Sequence, residues 1–249
     1  MALARCPTGI EGFDPLCGGG LIRNRTFVVE GICGSGKSIF ALQFLYNGAT
    51  RFNEPGILLA TEERPTLIRE NAANFGWDLR KMEDEKKLAI IDGSSTKIGV
   101  PSAERFVDVR PFDVDAVIDQ LIAIQEDIHA KRAVIDSSTA IGYMFGDPAK
   151  FRLELLKIST TLEMLEMTTI LTAEVQRQDG GRIFGIESFI AEGLVSMHFM
   201  PKDPKDPMRS MRVRGIEIHK MRGTDHSHKV HPYDITGRGI VVHPEEELY

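Results

Sequence analysis

Short apolar runs alternate with segments of helical periodicity between residues 26 and 174. The runs are rich in aliphatic side chains and are bounded by glycine, proline or charged residues, as is typical of strands buried on both faces. They lie at 26–30, 56–61, 88–92, 133–136 and 169–174. Between them, helices are predicted from Ile39, from Pro65 to about 75, from Asp113 and over 151–167. This alternation predicts an α/β fold with a mainly parallel central sheet and helices on both faces.

Beyond Gly193 the pattern changes, because short strand candidates follow one another without helices between them. These candidates lie at 194–199, 211–220, 230–235 and 240–242. They predict an antiparallel extension at one edge of the sheet. The proposed organisation is one domain, with an N-terminal arm over 1–24, a nucleotide-binding core over 25–192 and the extension over 193–249.

Composition narrows the classes of partner. The 249 residues carry a formal net charge of −6, with 42% hydrophobic and 27% charged residues, so no cationic surface for nucleic acid or anionic lipid is indicated. The apolar runs are too short to span a bilayer and the N-terminus lacks a signal-peptide layout, so a soluble, cytoplasmic protein is expected. Cys6, Cys17 and Cys33 form no CxxC pair, which argues against a disulfide framework or a zinc site.

The segment at 31–38 matches GxxxxGKS at every fixed position and lies between a strand and a helix. Glycines allow the backbone N–H groups of such a loop to converge on a phosphate at the start of the following helix. Lys37 would neutralise the β- and γ-phosphates, and the Ser38 hydroxyl would bind Mg²⁺. The residues predicted to contact ATP are Gly34, Ser35, Gly36, Lys37, Ser38 and Ile39.

Charged residues at the ends of other strands are candidates to complete this site. Asp136 ends an apolar strand, where a carboxylate could hold Mg²⁺ through water opposite Ser38. Glu62 and Glu63 follow the second strand, and one of them could orient or deprotonate the attacking water, although a solvated acidic turn gives the same pattern. Lys220 and Arg222 are two residues apart at a strand end, which fits either a phosphate-binding pair or a solvated edge.

Several segments in the same order resemble the KaiC-like ATPases of the RecA superfamily. The resemblance is greatest to the N-terminal ATPase domain of the circadian-clock protein KaiC, and it covers nearly the whole chain. The segments are 10–14, 31–38, 43–48, 54–56, 61–63, 75–79 and 220–224. The expected fold is therefore a RecA-like P-loop NTPase with an antiparallel C-terminal edge.

The resemblance also implies an activity and roles for individual residues. Glu62 would be the catalytic base, with Glu63 assisting. Lys220 and Arg222 would act in trans on the nucleotide of the adjacent subunit in a ring-shaped homohexamer. Thr224 and His226 would lie near that same nucleotide. The implied function is Mg²⁺-dependent ATP hydrolysis at subunit interfaces, which would regulate assembly or a protein partner.

Three alternatives to this function remain open. A DNA-binding recombination ATPase of the RecA/RadB type would use Arg177 and Arg182 in a loop around 179–181, but Asp179 lies beside them and no aromatic residues are interleaved. A nucleotide-gated scaffold would bind ATP without appreciable turnover. A Ser/Thr autokinase would use Ser188, but phenylalanine follows it where KaiC has the second residue of its phosphorylated pair.

Two further observations argue against stacked rings and against a metal site at a histidine cluster. KaiC carries two such ATPase domains in one chain, whereas this sequence contains one, so stacking of two rings within each chain is not expected. His226, His228 and His231 lie close together, but HxHxxH is not a standard structural zinc spacing and no cysteine completes it. A metal site at these histidines is therefore not favoured.

Overall fold

Strands and helices alternate in the first part of the chain, and strands dominate after residue 192. The computed structural model describes residues 3–95, 102–107, 113–178, 181–183, 185–201 and 212–248. The strands are β1 (Arg5–Cys6), β2 (Leu21–Ile22), β3 (Thr26–Gly31), β4 (Gly56–Ala60), β5 (Leu88–Asp92), β6 (Phe106–Val107), β7 (Arg132–Asp136), β8 (Thr168–Glu174), β9 (Gln176–Gln178), β10 (Gly181–Ile183), β11 (Gly193–Pro201), β12 (Arg212–Met221), β13 (Val230–Thr236) and β14 (Gly239–Val242). The α-helices are α1 (Lys37–Arg51), α2 (Pro65–Ala73), α3 (Leu79–Asp84), α4 (Val114–Ile128), α5 (Ser138–Phe145), α6 (Pro148–Met164) and α7 (Ile186–Ile190).

One large sheet crosses the described structure in the order β14-β13-β12-β11-β3-β8-β7-β4-β5-β6. The strands from β11 to β6 are mutually parallel, and β12, β13 and β14 add an antiparallel edge. The predicted fold class is therefore confirmed. One detail was wrong, because β11 does not belong only to the antiparallel extension: it pairs in parallel with β3 and joins the two parts of the sheet.

Both faces of the sheet are covered. One core contains aromatic residues of α1 and the N-terminal arm, including Phe13 and Phe40, whose rings meet edge to face at 5.0 Å. The other core contains the apolar faces of α4 and α6, with Leu121 and Leu155 fully or almost fully buried. Strands between two such layers must be apolar on both faces, which is why their sequences show no alternation.

The helices differ from the sequence prediction in extent and in number, since α3 and α7 were not predicted. The helix predicted over 151–167 is α6, which begins three residues earlier at Pro148 and ends at Met164. Helix α5 was not predicted, because its eight residues are mostly apolar and too few to establish a period. Among the described helices, none combines the length and apolar character needed to cross a bilayer.

Candidate nucleotide-binding site

The loop at 31–38, called the phosphate loop below, joins the carboxyl end of β3 to the start of α1. Gly34 and Gly36 have φ angles of 77° and 96°, a left-handed conformation that L side chains rarely adopt. Lys37 begins α1, and its Nζ donates to the carbonyl oxygens of Gly31 and Ile32 at 3.0 and 3.2 Å. A cation therefore lies over the loop at the positive end of a 15-residue helix.

The phosphate loop has a polar group and an open side that a ligand could contact. The Ser35 hydroxyl is buried without a hydrogen-bond partner within the described ranges. No atom of the described residues lies within 4 Å of a Cβ placed on Gly34, so they leave this side of the loop open. A buried polar group without a partner is costly, and a phosphate oxygen would supply the missing partner. These features fit the phosphates of a nucleotide.

The C-terminal extension supports the phosphate loop from the other side. The buried Tyr233 hydroxyl of β13 donates a hydrogen bond to the Ser35 carbonyl. A Cβ placed on Gly36 would lie 3.0 Å from Ile235 Cδ1, so a larger residue there would press against the end of this β13 side chain. On the β11 side, a Cβ placed on Gly31 would lie 2.6 Å from the Met197 carbonyl oxygen. Strands of the extension thus fix the shape of the loop.

Asp136 lies at the end of β7, opposite Ser38, as the sequence predicted. Its carboxylate accepts hydrogen bonds from the hydroxyls of Thr172 and Ser38. Burial raises the pKa of Asp136 and the Glu62 carboxylate adds to the rise, while the two hydroxyls and Lys37 oppose it. A carboxylate held next to a serine hydroxyl is an oxygen donor set suited to Mg²⁺, directly or through water.

Glu62 and Glu63 occupy different positions beside Asp136. The Ser137 hydroxyl donates to Glu62 at 2.8 Å, and the rest of the Glu62 side chain is exposed. Asn71 of α2 donates to Glu63 at 2.7 Å. Burial, and then the charge of Asp136, raises the pKa of Glu63.

A cleft of about 290 Å³ opens between α1 and α2 at this point. Ser38, Glu63 and Asp136 form its polar side, and Leu42, Leu58 and Trp77 are among the apolar residues opposite. Ile39, which was predicted to contact ATP, also lines it. The raised pKa of Glu63 is therefore a consequence of placing a carboxylate in a partly apolar cleft beside a second carboxylate.

Lys220 and Arg222 lie at the other end of the sheet from the phosphate loop of their own chain. Met221 pairs with Gly193, and Gly193 pairs with Phe27 near the start of β3. The loop begins at Gly31, four residues further along, which is about 13 Å of strand. These two cations therefore do not contribute to the nucleotide site of their own chain.

Both cations make local contacts in this position. Lys220 Nζ donates to the carbonyls of Ser188 and Ala191 at 3.0 and 2.5 Å, and burial followed by the charge of Arg222 lowers the pKa of Lys220. The Arg222 side chain is 53% exposed, and its Nη1 contacts Glu192 Oε1 at 3.4 Å. Arg222 is thus the more available of the two for a neighbouring molecule.

Thr224 follows in the chain and contacts the N-terminal arm, as does Ser227, the residue after His226. The Arg5 guanidinium donates to the Thr224 hydroxyl, and Ser227 N donates to the Leu16 carbonyl. His226 Nδ1 lies 2.9 Å from the Ser227 carbonyl oxygen.

The remaining histidines of this segment do not converge. His231 is buried, and its two ring nitrogens contact the Ser227 hydroxyl and the Glu246 carbonyl. Among the described residues, His226, His228 and His231 do not form a group with metal-binding geometry.

The residues behind the alternative functions are only partly described. Arg177 and Arg182 are Cα register partners in the β9–β10 hairpin, while Asp179 and Gly180 lie outside the described residues. The Ser188 side chain is buried in α7 and is not presented to solvent.

Several residues that orient the site were not identified from the sequence. Thr172 and Ser137 bind the carboxylates of Asp136 and Glu62, and Tyr233 binds the phosphate loop. For Thr172 and Ser137, the only sequence signal is a polar side chain near the carboxyl end of a buried strand or just after it. Tyr233 gives no local signal, because its partner is 198 residues away in the chain.

Comparison with known proteins identifies similar chains. The family model described as "ATPase: KaiC" matches residues 6–247. UPF0273 protein MJ1359 of Methanocaldococcus jannaschii is 38% identical over 250 residues, which cover 99% of each chain. The crystal structure of KaiC-like protein PH0186 from Pyrococcus horikoshii OT3 is 36% identical and has a TM-score of 0.80, covering 98% of this chain and 100% of that one.

Similarity extends to a longer protein as well. Circadian clock oscillator protein KaiC of Parathermosynechococcus lividus is 38% identical over 239 residues. The match covers 95% of this chain but 42% of that protein, so the chain spans less than half the length of this relative.

Proposed function

Because the chain belongs to the KaiC family of ATPases, we propose that it binds ATP with Mg²⁺ at the phosphate loop and hydrolyses it at subunit interfaces of a ring-shaped homo-oligomer. The observation that carries this proposal is the convergence of Lys37, Ser38, Asp136 and the Glu62–Glu63 pair at the carboxyl ends of β3, β4 and β7. Such ends of parallel strands are where ligands bind in open α/β sheets.

The phosphate-binding step uses groups that are already in place. Backbone N–H groups of the loop and the start of α1 would receive the phosphates, and the Ser35 hydroxyl would gain a partner. Lys37 Nζ would leave the Gly31 and Ile32 carbonyls and turn to the β- and γ-phosphates. Mg²⁺, held by Ser38 and through water by Asp136, would neutralise charge on these phosphates.

Hydrolysis requires a water molecule positioned against the γ-phosphate. We assign this role to Glu62, whose carboxylate is held by Ser137 at 2.8 Å. Glu63 would assist from the cleft, where its raised pKa gives it a greater affinity for a proton than an exposed carboxylate has.

The position of Lys220 and Arg222 supports completion of the site by a second subunit. The strand register, which separates them from the phosphate loop of their own chain, argues against action in cis. We propose that both cations, with Thr224 and His226, meet the nucleotide of the adjacent subunit in a homohexamer. The cytoplasm is the proposed location, and control of assembly or of a protein partner is the proposed use of the ATP cycle.

Mixing two inactive variants tests this arrangement. Lys37→Ala should lose nucleotide binding, whereas Arg222→Ala should retain binding and lose hydrolysis. In rings assembled from an equal mixture, about one quarter of interfaces would join an intact loop to an intact Arg222, so roughly a quarter of wild-type turnover should return. As a control, Lys37→Ala mixed with the Lys37→Ala/Arg222→Ala double variant should remain inactive.

The outcomes separate the possible arrangements. No recovery after verified subunit exchange would contradict action in trans. Normal turnover by Arg222→Ala alone would remove Arg222 from the mechanism. A wild-type protein that binds ATP but does not turn it over would support a nucleotide-gated scaffold.

One observation favours the DNA-binding alternative: Arg177 of β9 and Arg182 of β10 are register partners. Steady-state ATP turnover with and without single-stranded DNA distinguishes this alternative. We expect the rate to be unchanged by DNA. Strong, salt-sensitive stimulation would instead place the chain among DNA-dependent ATPases.

A further inference from the structure

Three side chains with metal-binding groups lie together on the paired strands β11 and β12, and none of them lines the cleft at Ser38 and Asp136. Glu217 and His219 are two residues apart in β12, and their side chains meet although the β11–β12 register is irregular at His219. His198 lies in β11, two residues after Ser196, which is the register partner of Glu217. The three side chains are each 23–24% exposed, which leaves the group accessible to a small ion.

The geometry of these side chains is close to that of a metal site. The Nε2 atoms of His198 and His219 both lie 3.1 Å from the same oxygen, Glu217 Oε2. All three ligand atoms lie within 4.8 Å of one another. With zinc–ligand bonds of about 2.0–2.1 Å, two ligand atoms at corners of a tetrahedron are about 3.4 Å apart. Small side-chain rotations would therefore bring three donors to one ion.

We propose that His198, Glu217 and His219 bind one divalent metal ion of the late first-row transition series, with zinc as the reference ion. Two imidazoles and one carboxylate suit zinc, nickel or cobalt, whereas Mg²⁺ prefers oxygen donors alone. The site is thus chemically distinct from the proposed magnesium position at Ser38 and Asp136.

The location of this group indicates what the ion would do. It would link β11 to β12 at the point where β11 passes the phosphate loop, because Met197, next to His198, contacts Gly31. The same strand β12 continues to Lys220 and Arg222. A bound ion would therefore hold together the hairpin that connects these two regions, and it would stabilise the folded chain.

Calorimetric titration of tag-free, chelator-treated, nucleotide-free protein with Zn²⁺ tests the proposal. We expect one Zn²⁺ per chain, a higher unfolding temperature with Zn²⁺, and no competition from excess Mg²⁺. His198→Ala and His219→Ala should each weaken binding by more than about tenfold, because even loss of a group outside the coordination sphere commonly costs that much. Co²⁺ should give a visible absorption band in the wild type that both variants lack.

Matched variants separate this site from ordinary surface histidines. His243→Ala removes an imidazole that pairs with Asp234 at 2.9 Å, and His228→Ala removes one of two imidazoles 4.6 Å apart. Both should bind Zn²⁺ like the wild type. If an alanine variant fails to fold, Glu217→Gln provides a conservative loss of the carboxylate ligand and should also weaken binding.

Three results would overturn the proposal. The first is that the wild type does not bind Zn²⁺ stoichiometrically. The second is that His198→Ala and His219→Ala bind Zn²⁺ with wild-type affinity. The third is that His228→Ala loses Zn²⁺ binding. None of them depends on ATP turnover, so failure here is distinguishable from failure of the proposed ATPase function.

Discussion

Gly48 lies in the interior of α1, where the side chain of Arg132 passes against the helix. A Cβ placed on Gly48 would lie 2.4 Å from Arg132 Cδ and 2.5 Å from its Nε. Arg132 has no exposed surface and donates to Glu54 Oε2 from Nε at 2.7 Å. Its other nitrogens donate to the Phe44 and Pro7 carbonyls, each at 2.8 Å. The guanidinium is therefore fixed from several sides and cannot move without breaking these contacts.

Glu54 depends on this arrangement. Burial by itself would raise the pKa of the Glu54 carboxyl, but the charges and hydrogen bonds of Arg132 and Arg23 outweigh it and lower the pKa. Displacing Arg132 would leave the buried Glu54 carboxylate with Arg23 as its remaining charged partner among the described residues. Breaking a buried ion pair costs about 3–5 kcal/mol.

Gly48→Ala is the substitution that tests this reasoning, because two effects of opposite sign compete. Replacing glycine by alanine within a helix stabilises it by about 1 kcal/mol. Displacement of Arg132 costs about 3–5 kcal/mol, so the net effect should be a loss of about 2–4 kcal/mol in the free energy of unfolding. Chemical denaturation of the nucleotide-free protein measures this loss.

Two comparisons give the test its specificity. Gly142→Ala in α5 places a Cβ 3.2 Å from the Phe151 ring, which needs only a small adjustment, so it should change the unfolding free energy by less than about 1 kcal/mol. In an Arg132→Val background no atoms beyond Cγ remain to collide, and Gly48→Ala should become stabilising. If Gly48→Ala stabilises the wild type, or costs the same with and without Arg132, the explanation is wrong.

The remaining predictions concern the candidate site. Asp136→Asn should abolish Mg²⁺-dependent nucleotide binding, measured by calorimetry. The same variant should raise the unfolding temperature of the nucleotide-free protein at neutral pH. Burial raises the pKa of Asp136, so its charged form is unfavourable in the folded protein. For the same reason Asp136 should make wild-type stability fall as pH rises from the ordinary carboxyl pKa through the raised folded value, and the Asn variant should lack this contribution. Tyr233→Phe removes the hydrogen bond to the Ser35 carbonyl and should weaken ATP binding about fivefold, with a smaller effect on kcat. Glu62→Gln should lower kcat by at least about 100-fold with ATP affinity retained, and Glu63→Gln should lower it less; the reverse order would make Glu63 the base.

Much of the fold could be predicted because its signals are local. Buried strands such as β5 and β7 are continuous apolar runs, and the phosphate loop requires glycines that accept positive φ angles at 34 and 36. Helix α5 was missed because eight mostly apolar residues do not define a period. The N-terminal arm was predicted, but its strands β1 and β2 were not, because each has two residues and its pairing partner lies well apart in the chain.

The sequence by itself determined the residue types of the nucleotide site and the strand or helix on which each would lie, because hydrophobic periodicity and loop chemistry act over a few residues. Only the tertiary structure decided which of these residues meet. Insertion of β11 between β3 and β12 places Arg222 away from the phosphate loop of its own chain and brings His198 beside Glu217 and His219. Strand order and register arise from pairing between segments far apart in the chain, and such pairing leaves no local pattern in the sequence.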